Sequence, residues 1–173
     1  KDGAFVPSEK TCIVYGNAAL QSIAEAFAAD WKEMFGNALQ VKAGKPQAGD
    51  FYLTLKKDKK LGKEGYAIAV AKYVTVSAPE TTGVYWATRT LLQIGEQSDN
   101  HALPHGTVRD WPDYSVRGFM MDCGRKFIPM AYMRDLVKMM SYYKMNSWVF
   151  FFRYNNKFFI YYCNCYIFKC KVC

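Results

Sequence analysis

Two groups of side chains in this sequence have the residue types for metal chemistry. His101 and His105 stand four apart, the spacing that in H-E-x-x-H brings two imidazoles to one helix face, with a glutamate beside them as base. Here Pro104 lies between them and that glutamate is missing, so both are expected in a loop. Cys163, Cys165, Cys170 and Cys173 crowd the last eleven positions, while Cys12 and Cys123 stand alone. C-x-C and C-x-x-C separated by four residues leave no room for the loop that normally parts two zinc-ligand pairs. Neither a metal site nor a disulfide framework is expected. No Gly-rich phosphate loop and no G-x-S-x-G nucleophile elbow occurs, so no cofactor is expected either.

A chain of 173 residues can bury one domain and part of a second. Its net charge of +8 is lopsided: Lys144, Arg153, Lys157, Lys169 and Lys171 supply five charges in a stretch with no Asp or Glu, leaving +3 for the rest. A nucleic-acid partner needs basic residues clustered on a folded face and is not expected. No uninterrupted apolar run reaches about 20 residues, so no membrane span is expected, and the chain begins at Lys1 without a visible signal peptide.

The elements that must position any site follow from periodicity. Cys12 to Gly16 reads as a strand running into a turn; Asn17 to Phe35 carries Leu20, Ile23, Phe27, Trp31 and Phe35 near helical spacing, with Gly36-Asn37 as a stop. Leu39 to Val41 and Phe51 to Leu55 read as strands, Lys56 to Lys63 as a charged turn, and Tyr66 to Val70 with Val74 to Ser77 as a hairpin. The sheet is expected to end there, and Pro79 to Gln97 is a second amphipathic helix. The order β-α-β-β-β-β-α predicts an α+β fold, a two-layer α/β sandwich. Two prolines and a glycine place a boundary over Pro104 to Pro112. Beyond it Val116 to Met121, Pro129 to Tyr143 and Trp148 to Phe152 read as strand, helix, strand, a parallel βαβ unit. From Asn155 on, Asn, Lys, Phe, Ile, Tyr and Cys make up all but one residue. That bias fits A/T-rich codons read out of frame, and an aromatic strand is the other reading.

Two stretches resemble family 20 glycoside hydrolases, which remove terminal N-acetylhexosamines. Glu64-Gly65-Tyr66-Ala67-Ile68-Ala69-Val70, followed by Gly83-Val84-Tyr85 and Thr90-Leu91-Leu92-Gln93, is similar to the family's accessory-domain pattern. Asp110-Trp111-Pro112, Arg117-Gly118, Asp122, Arg125, Phe127 and Pro129, with Lys144-Met145-Asn146 one helix later, is similar to the run that opens its catalytic barrel. The resemblance implies an accessory sandwich over 1–109, an incomplete (β/α) barrel fragment over 110–154 and an aberrant tail over 155–173. It implies N-acetylhexosamine glycans as partners and a location outside the cytoplasm in a bacterium.

On this resemblance Arg117 matches an arginine that hydrogen-bonds sugar hydroxyls, a task suited to a planar guanidinium. The alternative is that Arg117 and Asp122 pair across a buried strand; Asp122 and Arg125 are expected to tie that strand to its helix. Family members use an Asp to orient the substrate's acetamido oxygen as nucleophile and a neighbouring Glu as acid. No Asp-Glu dipeptide occurs here, and Ser147 to Tyr154 stands where a strand bearing His and Asp is expected. The chain therefore reads as a truncated, inactive β-N-acetylhexosaminidase; the other reading is a glycan-binding or interaction module, favoured if a Trp or Tyr lies exposed on a sheet face. Helical spacing makes Trp31 and Trp86 core, and Trp111 and Trp148 are left open. A lone βαβ piece leaves strand edges bare, so it is expected either to fold back on the accessory domain or to associate with another copy.

Overall fold

A computed structural model describes residues 3–154 and 157–164, with side chains as far as residue 151; the chain forms two compact units that divide between Pro112 and Asp113. The first opens with β1 (Ala4–Phe5) and β2 (Cys12–Tyr15), the latter β-branched and aromatic as strands favour. Asn17 caps a 3-10 turn, accepting from the Ala19 amide at 2.9 Å, and α1 (Gln21–Phe35) follows. The helix stops where expected, at Gly36, whose φ of 79° is left-handed and whose N–H donates to the Lys32 carbonyl. Then come β3 (Gln40–Ala43), β4 (Phe51–Leu55), β5 (Tyr66–Val70), β6 (Val74–Ala78), α2 (Thr81–Glu96), β7 (Leu103–Pro104) and β8 (Gly106–Asp110).

Six strands form one sheet in the order β3-β2-β4-β6-β5-β8. The pairs β2–β3, β2–β4 and β4–β6 are parallel; β5–β6 is the expected hairpin, antiparallel like β5–β8. Alternation in β4 turns Phe51 and Leu53 to the helices, where Phe51 meets Phe27 and Trp31, each 5.3 Å between ring centres. Each such burial contributes about 1.5–3 kcal/mol. Between the helices the guanidinium of Arg89 meets Asp30 at 2.7 Å and lies 4.6 Å from the Tyr85 ring centre. Helix α2 starts so near the β4–β5 connection that a Cβ on Gly83 would collide with the Gly65 carbonyl, and a Cβ on Gly65 would collide with the Leu61 carbonyl, a packing reason for both glycines of the sandwich motif.

One expectation is overturned. The sheet does not end at β6: Gly106–Asp110 adds a sixth strand, with Ala67 opposite Arg109 and Ile68 opposite Val108. Tyr66 fixes that strand, donating its hydroxyl hydrogen to Asp110 and sharing a 2.6 Å hydrogen bond with Thr90 of α2. Burial, and secondarily the Asp110 carboxylate, push the Tyr66 hydroxyl well above the usual tyrosine range. Beside it, β1 pairs with β7, Ala4 opposite Pro104.

The second unit holds β9 (Gly118–Asp122), α3 (Met130–Tyr142), β10 (Ser147–Tyr154) and β11 (Lys157–Asn164). Strands β9 and β10 are parallel, Gly118 opposite Ser147, as a βαβ unit requires. Pro129, extended at φ −61° and ψ 144°, caps α3. Met121, Met133, Met140, Trp148 and Phe150 form the core of this unit. The tail contributes β11, antiparallel to β10; residues 155, 156 and 165–173 lie outside the described residues.

Candidate functional site

The residues singled out from the sequence fall at the two ends of β9. At its N-terminal end Asn146 is buried and ties the starts of both parallel strands together. Its Oδ1 accepts from the Arg117 amide (2.9 Å), its Nδ2 donates to the Ser115 carbonyl (2.9 Å), and its own amide donates to the Arg117 carbonyl (2.9 Å). The Arg117 side chain reinforces that clamp: Nε donates to the Lys144 carbonyl at 2.8 Å and Nη1 to the Tyr114 carbonyl at 2.7 Å. Lys144 takes a left-handed φ of 57° as the chain leaves α3, which helps aim its carbonyl at the guanidinium. The Asn was legible only as part of a motif; its clamping role needed the three-dimensional pairing of β9 with β10.

At the C-terminal end of β9, Asp122 accepts from the Gly124 amide on Oδ1 (2.8 Å) and faces Arg125 Nε across 3.4 Å on Oδ2. The Arg125 side chain is 92% exposed, so this pair is a loose surface contact that contributes at most about 1 kcal/mol. Arg125 lies in the loop before α3, and Asp122 thus holds that loop to the strand end. The Cys123 amide donates to the Phe151 carbonyl at 2.8 Å, and burial, then the Asp122 charge, push its thiol above the ordinary range. Phe127, further along the loop, is almost wholly exposed. The end of β9 therefore presents a carboxylate, a solvent-facing guanidinium and an aromatic ring. That set can donate to and accept from hydroxyls, and it holds no nucleophile poised by a base.

The other candidates separate. His101 ends a short 3-10 turn, stacks on Phe35 with ring centres 4.2 Å apart, and places Nδ1 3.2 Å from the Gly95 carbonyl. The His105 amide donates to the Gly3 carbonyl across the β1–β7 junction. Both serve packing. Cys165, Cys170 and Cys173 lie outside the described residues, as does the Cys163 side chain. Among the described residues no group of three His, Cys, Asp or Glu is placed to hold a metal ion, and no helix is long and apolar enough to cross a membrane. Trp31, Trp86 and Trp148 are buried, while Trp111 is half exposed.

Comparison with known proteins bears on both units. Residues 1–111 match the model for glycosyl hydrolase family 20, domain 2, and residues 114–155 match that for the glycosyl hydrolase family 20 catalytic domain. A beta-hexosaminidase of Vibrio furnissii is 31% identical over 101 residues, 57% of this chain and 16% of the relative. One of Porphyromonas gingivalis is 26% identical over 155 residues, 84% of this chain and 20% of the relative. The chain thus spans a fifth or less of the length of these two curated relatives. In fold it is similar to the Streptomyces plicatus N-acetyl-beta-hexosaminidase, with a TM-score of 0.77 at 21% identity over 87% of this chain and 32% of that one. The β-N-acetylhexosaminidase of Bacteroides fragilis gives 0.69 at 24% identity, covering 87% of this chain and 30% of that one. With the domain 2 model covering 111 of 173 residues and the catalytic model following it in order, the chain belongs to glycosyl hydrolase family 20.

Proposed function

We propose that this chain is the accessory domain and opening βαβ segment of a bacterial β-N-acetylhexosaminidase that works outside the cytoplasm on glycans ending in N-acetylhexosamine. The observation that carries the reading is the co-linear order: an accessory sandwich, then a parallel β9–α3–β10 unit over the stretch that matches the catalytic domain. Polymeric glycans do not cross membranes, which favours the extracytoplasmic location. Substrate-assisted hydrolysis needs an Asp that orients the acetamido oxygen and a neighbouring Glu that protonates the departing oxygen. These 173 residues contain no Asp-Glu dipeptide, so this chain by itself does not perform the reaction. Incubated with an aryl N-acetyl-β-glucosaminide, the purified chain is expected to release no chromophore; release that persists through repurification would overturn this reading.

The geometry favours Arg125 over Arg117 as the sugar-facing arginine. Barrel enzymes place their sites at the C-terminal ends of the strands, the end of β9 that carries Asp122 and the exposed Arg125. Arg117 sits at the opposite end with its Nε and Nη1 on backbone carbonyls.

Self-association belongs to the same reading. Met120 on the edge strand β9, with Tyr132, Met139 and Tyr143 along α3, leaves apolar surface in water. Light scattering behind size exclusion is expected to give a mass above that of one chain. A single-chain mass with residues 114–154 resistant to protease would contradict it.

A further inference from the structure

The accessory sheet has a second face. Because Phe51 and Leu53 turn toward the helices, Tyr52 and Thr54 turn away from them, and the pairing places Thr75 beside Tyr52 and Ser77 beside Thr54. Ala69 and Ala67 continue those two rows onto β5. The centre of this face therefore carries four hydroxyl groups among short side chains, with buried Val14 of β2 on the other flank of Tyr52. A Cβ on Gly16 would collide with the Tyr52 hydroxyl and stand 3.1 Å from its Cζ, so the ring reaches across the bare backbone of that glycine. An aromatic ring laid beside small side chains is a surface on which the C–H face of a pyranose can rest, with hydroxyls at hand for its own.

One rim of this face is strongly charged. Residues 1–112 hold thirteen Lys and Arg against twelve Asp and Glu, a near balance that hides a local excess. The β4–β5 connection carries Lys56, Lys57, Lys59, Lys60 and Lys63, all exposed. Its carboxylates turn inward. Asp58 accepts from the Lys60 amide (3.0 Å) and meets Arg109 Nη2 at 2.8 Å, and Glu64 accepts from Trp86 Nε1 at 2.9 Å. The turn itself is held in place: Leu61 is buried, and the Lys56 amide donates to the Ala78 carbonyl at 2.8 Å. Arg109 lies opposite Ala67 on the same sheet face, so its bond to Asp58 fastens the basic turn to the edge of the Tyr52 surface.

We propose that this helix-free face, with Tyr52 at its centre and the Lys56–Lys63 turn at its rim, docks an anionic polysaccharide built with N-acetylhexosamine. The proposal rests on the hexosaminidase reading for its choice of sugar, and on charge complementarity and the Tyr52 surface for the rest. A chain of alternating hexosamine and acidic sugar sets its carboxylates or sulfates on the lysines while one ring rests on Tyr52. The face holds one ring on a flat sheet rather than a row of aromatics or a groove-sized projection, which fits a polysaccharide better than a nucleic acid.

The test is binding of the intact chain to immobilised chondroitin sulfate at low salt, with DNA duplex, dextran sulfate and a chitin oligosaccharide as competitors. Saturable binding is expected, displaced best by soluble chondroitin sulfate. Lys57→Gln, Lys59→Gln and Lys60→Gln together, all exposed and leaving the fold intact by circular dichroism, are expected to weaken it by about tenfold or more. Tyr52→Leu is expected to weaken it further, and Tyr52→Phe to retain it. Absence of binding, equal displacement by DNA or dextran sulfate, or indifference to the lysine substitutions would overturn the proposal. Hydrolysis is read separately on the aryl glycoside, which has no polymer to dock, so failure of the family reaction and failure of docking are told apart.

Discussion

Arg117 and Arg125 stand eight residues apart in one motif, yet their side chains have opposite circumstances. Arg117 donates to the Tyr114 and Lys144 carbonyls at the strand start, whereas Arg125 reaches into water from a 3.4 Å contact. Hydrogen bonds from a charged group contribute about 1.5–3 kcal/mol each when buried, and less here because Arg117 is partly exposed. Replacing Arg117 with Met should therefore speed hydrogen exchange of the β9 and β10 amides by roughly tenfold or more, which is about 1.4 kcal/mol. Arg125→Ala should change it by less than about 0.5 kcal/mol. Equal effects would remove the distinction drawn between them. In the first unit Tyr66 is the informative side chain. Its hydroxyl binds protons more tightly folded than unfolded, so the folded state holds the extra proton once pH passes the unfolded value of about 10. Stability is then fully present below that pH and declines as pH rises above it. Urea midpoints between pH 8 and 11 should show this decline, and Tyr66→Phe should flatten its share of it at a lower starting stability.

At the scale of elements, β8 decides where the accessory domain stops. A chain ending at Pro112 keeps Arg109 on Asp58 and Asp110 on Tyr66, whereas one ending at Leu103 strips both and bares the edge of β5. The 1–112 chain is expected to unfold in one cooperative urea transition; 1–103 should lose several kcal/mol or fail to stay soluble, because Tyr66 would keep a buried hydroxyl without its carboxylate. Indistinguishable transitions would show that β8 is dispensable to the domain. The strand was missed in the sequence for a physical reason: an edge strand buries little, and here only Val108 is apolar, between Thr107 and Arg109 and flanked by Pro104 and Pro112. The helices were legible because Ile23, Phe27 and Trp31 share one stripe in α1, and Val84, Leu91 and Leu92 another in α2. The hairpin was legible from the alternation of Tyr66, Ile68 and Val70 with Ala67 and Ala69. Strand β11 was not, since its run Phe158 to Tyr162 is apolar throughout and shows no period of two. The site was legible as a motif, but a motif does not say which end of a strand each arginine occupies, and that is why the sequence pointed to Arg117 where the proposed reading points to Arg125.

The whole molecule is two units that match two different domains of one family. The first matches its domain model from residue 1 to 111 and closes its own core around Phe51; the second covers only the opening of a catalytic domain. On the reading proposed above the functional question divides the same way: docking is assigned to the sandwich, and bond cleavage to a barrel whose first strand and helix would be β9 and α3. The pairing of β1 with β7 has a consequence of another kind. Ala4 lies opposite Pro104 and the Gly3 carbonyl accepts from the His105 amide at 2.9 Å, so the first strand of the sandwich is pinned to the residues that lead into its last, β8. The beginning of the sandwich thus acts as a latch on its end: trimming the residues of β1 would unpair β7 and loosen the entry to β8, so a change at the N-terminus is felt at the β8 edge of the sheet.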